Sequence, residues 1–165
     1  MEYPEVMKML KAGGSPEKVA GMARFGIVVR NAYGVSAPAL KKLAKQIGRN
    51  HALAQQLWRS GNHDARAVAA LIDDPAAVDE RQMESWAKDF DSWATVDGAC
   101  NNLFRETTFA HEKAIEWAAR EEEFVKRAGF SMMACLAVHD KQAPDAQFLR
   151  FRPSLSGRQP TREIS

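Results

Sequence analysis

Helical segments recur along this chain at a nearly fixed interval, and that interval constrains the fold more than any other feature. Amphipathic stretches at 51–60, 80–90 and 108–121 alternate with much more apolar ones at 63–73, 92–104 and 123–139. A helix with one polar face belongs on the outside of a structure, whereas one that is apolar on most sides must be covered on most sides. The chain therefore reads as pairs of helices, outer then inner. Arg66 stands near the start of one inner helix, Asp97 early in the next and Arg127 near the start of the third, 31 and 30 residues apart. HDARAVAALI and FVKRAGFSMMACLAV also match, each placing Arg-Ala before an apolar run.

The punctuation agrees with helices throughout, and no segment reads as a strand. Ser15-Pro16 supplies an N-cap and first-turn proline for a helix to about Phe25, and Ser36 with Pro38 opens another that Gly48 stops. Gly61 ends the segment at 51–60, Asp74-Pro75 ends that at 63–73, Asp79 caps 80–90, and Thr108 begins 108–121. The stretch FGIVVRNAYGV at 25–35 lacks periodicity and is either an extended crossing or a short mobile segment. A helix pair repeating at this spacing is the signature of an all-α α-solenoid built of HEAT-like pairs, an α–α superhelix, with a single globular bundle as the alternative. The expectation is one repeat domain over 1–149. After it, 150–165 (ending RPSLSGRQPTREIS) has two prolines and no apolar period and reads as a basic, disordered tail.

The net charge of +2 becomes informative once it is located. No acidic residue lies between Glu17 and Asp64, while that interval holds eight cations: Lys18, Arg24, Arg30, Lys41, Lys42, Lys45, Arg49 and Arg59. Residues 64–140 then carry sixteen acids against eight bases. Such segregation predicts a positive surface for a polyanion, most plausibly nucleic acid. A solvated basic helix pair with no partner is the plainer reading.

The segment DFDSWATVDGACNNLF, 89–104, poses a sharper question. At about 100° per residue, Trp93, Val96, Ala99, Cys100, Leu103 and Phe104 share one broad apolar side, and Asp97 falls at its edge beside Trp93. An ionised carboxylate in that position costs free energy unless it is paired or used. Arg66 and Arg127 lie in or near first helical turns, where the macrodipole disfavours cations. Local rules broken in one row are grounds for suspecting a site.

GMARFGI, YGVSAPALKKLAKQIG, LWRSGNHDARAVAALIDDP, WAKDFDSWATVDGACNNLF and EEEFVKRAGFSMMACLAVHDK, in this order over about 15–145, resemble the DNA alkylation repair family, the HEAT-like DNA glycosylases of the AlkD type. The resemblance implies a solenoid whose concave basic face holds duplex DNA and which hydrolyses the N-glycosidic bond of cationic N-alkylated purines such as 3-methyladenine and 7-methylguanine. It implies a catalytic role for Asp97, for Trp93 one turn earlier and for Arg127. The DNA-facing set is expected to be Arg66, Lys41, Lys42, Lys45, His63 and Lys126. The family normally continues past LAVHDK into further helix pairs, including one with a second cleft tryptophan, so the ending here resembles a C-terminal truncation. The apolar helix at 123–139 is then expected to self-associate.

That chemistry is physically coherent. A cationic purine leaves without a protonating acid, which removes one of the two carboxylates glycoside cleavage usually needs. A single fixed carboxylate then stabilises the positive charge growing on the sugar and orients water. The competing reading is structural, since an Asp97–Arg127 or Asp97–Arg66 ladder across repeats explains the same residues without catalysis. A non-catalytic nucleic-acid-binding or protein-scaffold module is the alternative function. Trp58, Trp86 and Trp117, on the outer helices, read as core or inter-repeat packing. His51, His111 and His139 share no ligand spacing and no nucleotide motif occurs, so neither metal nor cofactor is expected. Cys100 and Cys135 read as reduced core residues, and the absence of a signal peptide or a membrane-length apolar run predicts a cytoplasmic protein.

Overall fold

The computed structural model describes residues 1–157. Eleven helices occur in that span: α1 Tyr3–Ala12, α2 Pro16–Arg24, α3 Ala37–Ile47, α4 His51–Arg59, α5 His63–Ile72, α6 Glu80–Lys88, α7 Trp93–Asn102, α8 Ala110–Ala118, α9 Glu123–His139, α10 Asp145–Leu149 and α11 Arg152–Leu155. A 3₁₀ turn at Phe104–Glu106 follows α7, and the described residues contain no strand. No helix among them is long and apolar enough to cross a membrane.

Ser15 and Asp79 cap helices as the sequence predicts, but Ser36 makes no side-chain cap bond and α8 starts at Ala110 after Phe109, not at Thr108. Ser15, Asn50, Asn62, Asp79 and Ser92 each accept a backbone N–H of their helix's first turn. Helices α3, α5, α7 and α9 pack side by side in sequence as an inner row, with α4 against α5 and α8 against α9. The outer helices are linked to one another along the array by aromatic rings. Trp58 of α4 stacks on Trp86 of α6 with centroids 3.9 Å apart, Trp86 meets Phe104 at 6.0 Å, and Phe104 meets Trp117 of α8 edge-on at 5.8 Å. All four are buried, so each step of the array is stabilised by ring packing worth about 0.5–1.5 kcal/mol beyond the area it covers. Two of the three indole N–H groups donate to carboxylates, Trp58 to Asp89 at 2.9 Å and Trp117 to Glu84 at 2.7 Å. The result is the α-solenoid of HEAT-like pairs that the repeat predicts.

The unperiodic 25–35 stretch is an extended crossing, and its anchor is Asp64. That buried carboxylate accepts the backbone N–H groups of Tyr33, Gly34 and Val35 at 2.6, 3.2 and 2.9 Å. Asn31 adds two bonds, its carbonyl taking the His63 N–H at 2.8 Å and its side chain the Asn62 amide at 3.0 Å.

Two elements differ from the sequence expectation. Helix α1 closes the N-terminal end by burying Val6 and Leu10 against α4 and α5. At the other end, 150–157 does not begin a disordered tail. Phe151 is buried, stacked on His111 at 5.8 Å and edge-on to Phe148 at 6.1 Å, and Arg150 pairs with Glu112 at 2.8 Å. The remainder of the expected tail, 158–165, lies outside the described residues. Helices α10 and α11 only partly cover α9, leaving a groove lined by Phe130, Met133, Ala137 and Leu155.

Candidate active site

Asp97, Arg127 and Trp93 converge because of the repeat. The N-caps of α5, α7 and α9, Asn62, Ser92 and Glu122, are spaced by thirty residues, so the fifth residue after each cap is Ala67, Asp97 and Arg127. Equivalent positions on stacked helices become neighbours. Accordingly the Arg127 guanidinium grips the Asp97 carboxylate with two hydrogen bonds, Nη2 to Oδ2 at 2.8 Å and Nε to Oδ1 at 3.2 Å. Ser131 Oγ, one turn beyond Arg127, donates to Oδ1 at 3.2 Å. The guanidinium carbon also lies 5.8 Å from the Trp93 ring centroid, within cation–π range. The Trp93 indole N–H in turn donates to the Phe25 carbonyl at 3.0 Å.

The Asp97 and Arg127 side chains remain 39% and 46% exposed. An ion pair that wet contributes only about 0–1 kcal/mol to stability. The bond to Asp97 outweighs the small desolvation and lifts Arg127 above its ordinary range, so the guanidinium stays charged. The carboxylate is open to solvent, held in one orientation and next to an electron-rich aromatic face.

Arg66 does not join this row. It stands one residue before the Ala67 register, and one residue is about 100° of helix rotation. Its side chain, 12% exposed, lies over the Trp58 ring at 5.2 Å and reaches Asp89 and Asp91 at 3.9 and 3.6 Å. It bonds two backbone carbonyls as well, those of Trp58 and Asp89. Arg66 therefore ties α5 to the turn before α7 instead of standing in one row with Asp97 and Arg127.

His63 and Lys41 line a hollow of about 130 Å³ between α3, α5 and α7, with Ala67, Thr95, Gly98 and Asn102. His63 Nδ1 is 3.4 Å from the Thr95 hydroxyl. Burial, opposed by Asp64 and Asp91, pushes the imidazole below its ordinary value, so it is neutral at pH 7. Lys41, Lys42, Lys45 and Lys126 are exposed, and none forms an ion pair among the described residues. The same holds for Lys18, Arg24, Arg30 and Arg59, which leaves Arg49, paired with Glu106 at 3.8 Å, as the engaged cation of the acid-free interval. Unpaired cations are available to phosphates; paired ones must first give up a partner.

Ser131 and Phe25 were not identifiable as site residues from residue type. Ser131 had a usable signal, its i+4 spacing from Arg127 on one helix face; a backbone carbonyl such as that of Phe25 has none. Among the described residues no group of three His, Cys, Asp or Glu side chains converges as a metal site.

Comparison with known proteins fixes the relationship. The model of the family "DNA alkylation repair enzyme" matches residues 6–150. The chain belongs to that family. An uncharacterized protein of Listeria innocua serovar 6a, Lin0241, is 24% identical over 152 residues, a match covering 90% of this chain and 62% of that protein. The chain thus spans less than two thirds of the length of this curated relative. A solved structure described as a new family of proteins related to the HEAT-like repeat DNA glycosylases, with affinity for branched DNA structures, superimposes with a TM-score of 0.73. It is 23% identical and is matched over 94% of this chain and 74% of its own. At that identity the likeness concerns the fold.

Proposed function

We propose that this family member is a DNA repair glycosylase that hydrolyses the N-glycosidic bond of cationic N-alkylated purines, of the 3-methyladenine and 7-methylguanine type, in duplex DNA. The observation that carries the reading is the Asp97 carboxylate, solvent-open yet fixed by Arg127 and Ser131 beside the Trp93 face. Positive charge grows on the deoxyribose as the base departs, and a carboxylate already oriented stabilises it without reorganising. The leaving purine carries its own positive charge, so no acid is required opposite Asp97. Trp93 offers its electron-rich face to the cationic base, while Arg127, still holding Asp97, turns its remaining N–H groups to a flanking phosphate. Lys41, Lys42, Lys45 and Lys126 supply sequence-independent attraction to the backbone, and neutral His63 serves as a polar contact within the hollow.

A second reading is favoured by one specific observation. Every strong interaction of Asp97 is internal, so the triad also fits a repeat-to-repeat clamp in a non-catalytic DNA-binding module. The deciding experiment is release of free methylated base from alkylated duplex by the natural chain and by Asp97→Asn. The glycosylase reading expects a rate loss of about 10²-fold or more in the variant. Salt-sensitive DNA binding with no base release by either protein supports the module instead. The half-covered apolar groove on α9 further supports self-association through that end, to be checked by sedimentation at rising concentration.

A further inference from the structure

The α2–α3 crossing carries two large apolar side chains that the fold does not use. Phe25 is 75% exposed and Val28 73% exposed. Scattered exposed apolar residues are ordinary, but these two occupy one short turn with a particular address. The Phe25 carbonyl accepts the Trp93 indole N–H, and Gly26, at φ +74°, sits against the same indole edge. The turn is fastened on both sides. The N–H groups of Gly26 and Ile27 bond back to Ala23 and Met22 at 3.1 and 3.0 Å, and Asn31 and Tyr33 are tied to His63 and Asp64. Arg24 and Arg30 flank it, exposed and without ion pairs among the described residues, inside the stretch that holds no acid from Lys18 to His63.

We infer that this turn is a nucleobase wedge: Phe25 and Val28 pack against an unstacked base at an interruption of the DNA duplex, while Arg24 and Arg30 hold the phosphates on either side. Apolar side chains inserted at base steps are a general way to stabilise a distorted duplex. Every base offers a π-face to an aromatic ring, so the contact is tolerant of sequence. The fastening at both ends means little ordering entropy is lost on binding. The inference rests on the DNA-binding reading above but needs no catalysis.

The test compares the natural chain, Phe25→Ser/Val28→Ser and Phe25→Trp by fluorescence anisotropy. The probes are an intact labelled duplex and the same duplex with one unpaired nucleotide beside a 2-aminopurine. The wedge predicts that the natural chain prefers the interrupted duplex and changes the 2-aminopurine emission. The double serine variant loses about tenfold of that preference while keeping its intact-duplex affinity and salt slope, and Phe25→Trp retains the preference. An equal loss on both probes, or an undiminished preference in the serine variant, overturns the wedge. So does a dimer of the natural chain that the serine variant dissolves. Failure of the natural chain to bind either probe in a salt-dependent manner overturns the DNA reading itself and is distinguishable from these.

Discussion

Gly129→Ala tests whether the packing of α8 on α9 sets the geometry of the site. A Cβ at position 129 collides with the backbone of α8, overlapping the Ala118 nitrogen and lying 2.7 Å from its Cα and 2.8 Å from the Ala114 carbonyl oxygen. Ordinary contact begins at about 3.4 Å, so the helices must part by roughly 1 Å, and backbone atoms cannot swing aside as a side-chain tip can. Overpacking of this kind costs about 3 kcal/mol, against about 1 kcal/mol regained from the better helix propensity of alanine. The net loss of about 2 kcal/mol lowers Tm by about 4–8 °C in a chain of this size. Because Arg127 and Ser131 ride on α9, a shift of α9 away from α7 stretches the 3.2 Å Ser131–Asp97 bond past hydrogen-bonding range. Thermal unfolding followed by circular dichroism reads the first effect, and base release or DNA affinity the second. An unchanged or raised Tm refutes the close approach of the two helices.

Other consequences are equally direct. Asp64→Ala strands three backbone N–H donors, costing about 3 kcal/mol. It frees the crossing, so limited trypsin digestion should cut after Arg30 well before the natural chain is cut there. His63 has a folded-state pKa below its unfolded value. The stability it contributes is therefore complete above about pH 6.5 and is lost as pH falls from there through the lowered folded value. Denaturant unfolding between pH 7.5 and 5.5 should show a smaller stability loss in His63→Gln than in the natural chain. Asp97→Asn should cost no more than about 1 kcal/mol in the same unfolding assay; a loss of several kcal/mol identifies Asp97 as structural.

The helix pairs were legible because outer and inner helices differ in how many sides they bury, and that difference is written in the residues. Asp97 and Arg127 were found together because thirty residues is the cap-to-cap period. Arg66 was misplaced because a separation of 31 looks nearly the same in sequence, yet one residue turns a side chain by about 100°. The anchoring role of Asp64 was hidden because its partners are backbone N–H groups about thirty positions away, which no local pattern records. The short helices α1 and α11 escaped notice for a related reason. The four-residue α11 is too brief to show a period, whereas α1, as long as α5, carries only one pair of buried residues a turn apart, Val6 and Leu10.

The central claim is that the Asp97 carboxylate is kept at this surface for chemistry on DNA, and it is most directly tested by measuring two quantities on one preparation of Asp97→Asn. Single-turnover base release from alkylated duplex is predicted to collapse, while DNA affinity, relieved of a negative charge facing the phosphates, is predicted to hold or rise. Base release at the natural rate with weakened DNA binding would contradict the account.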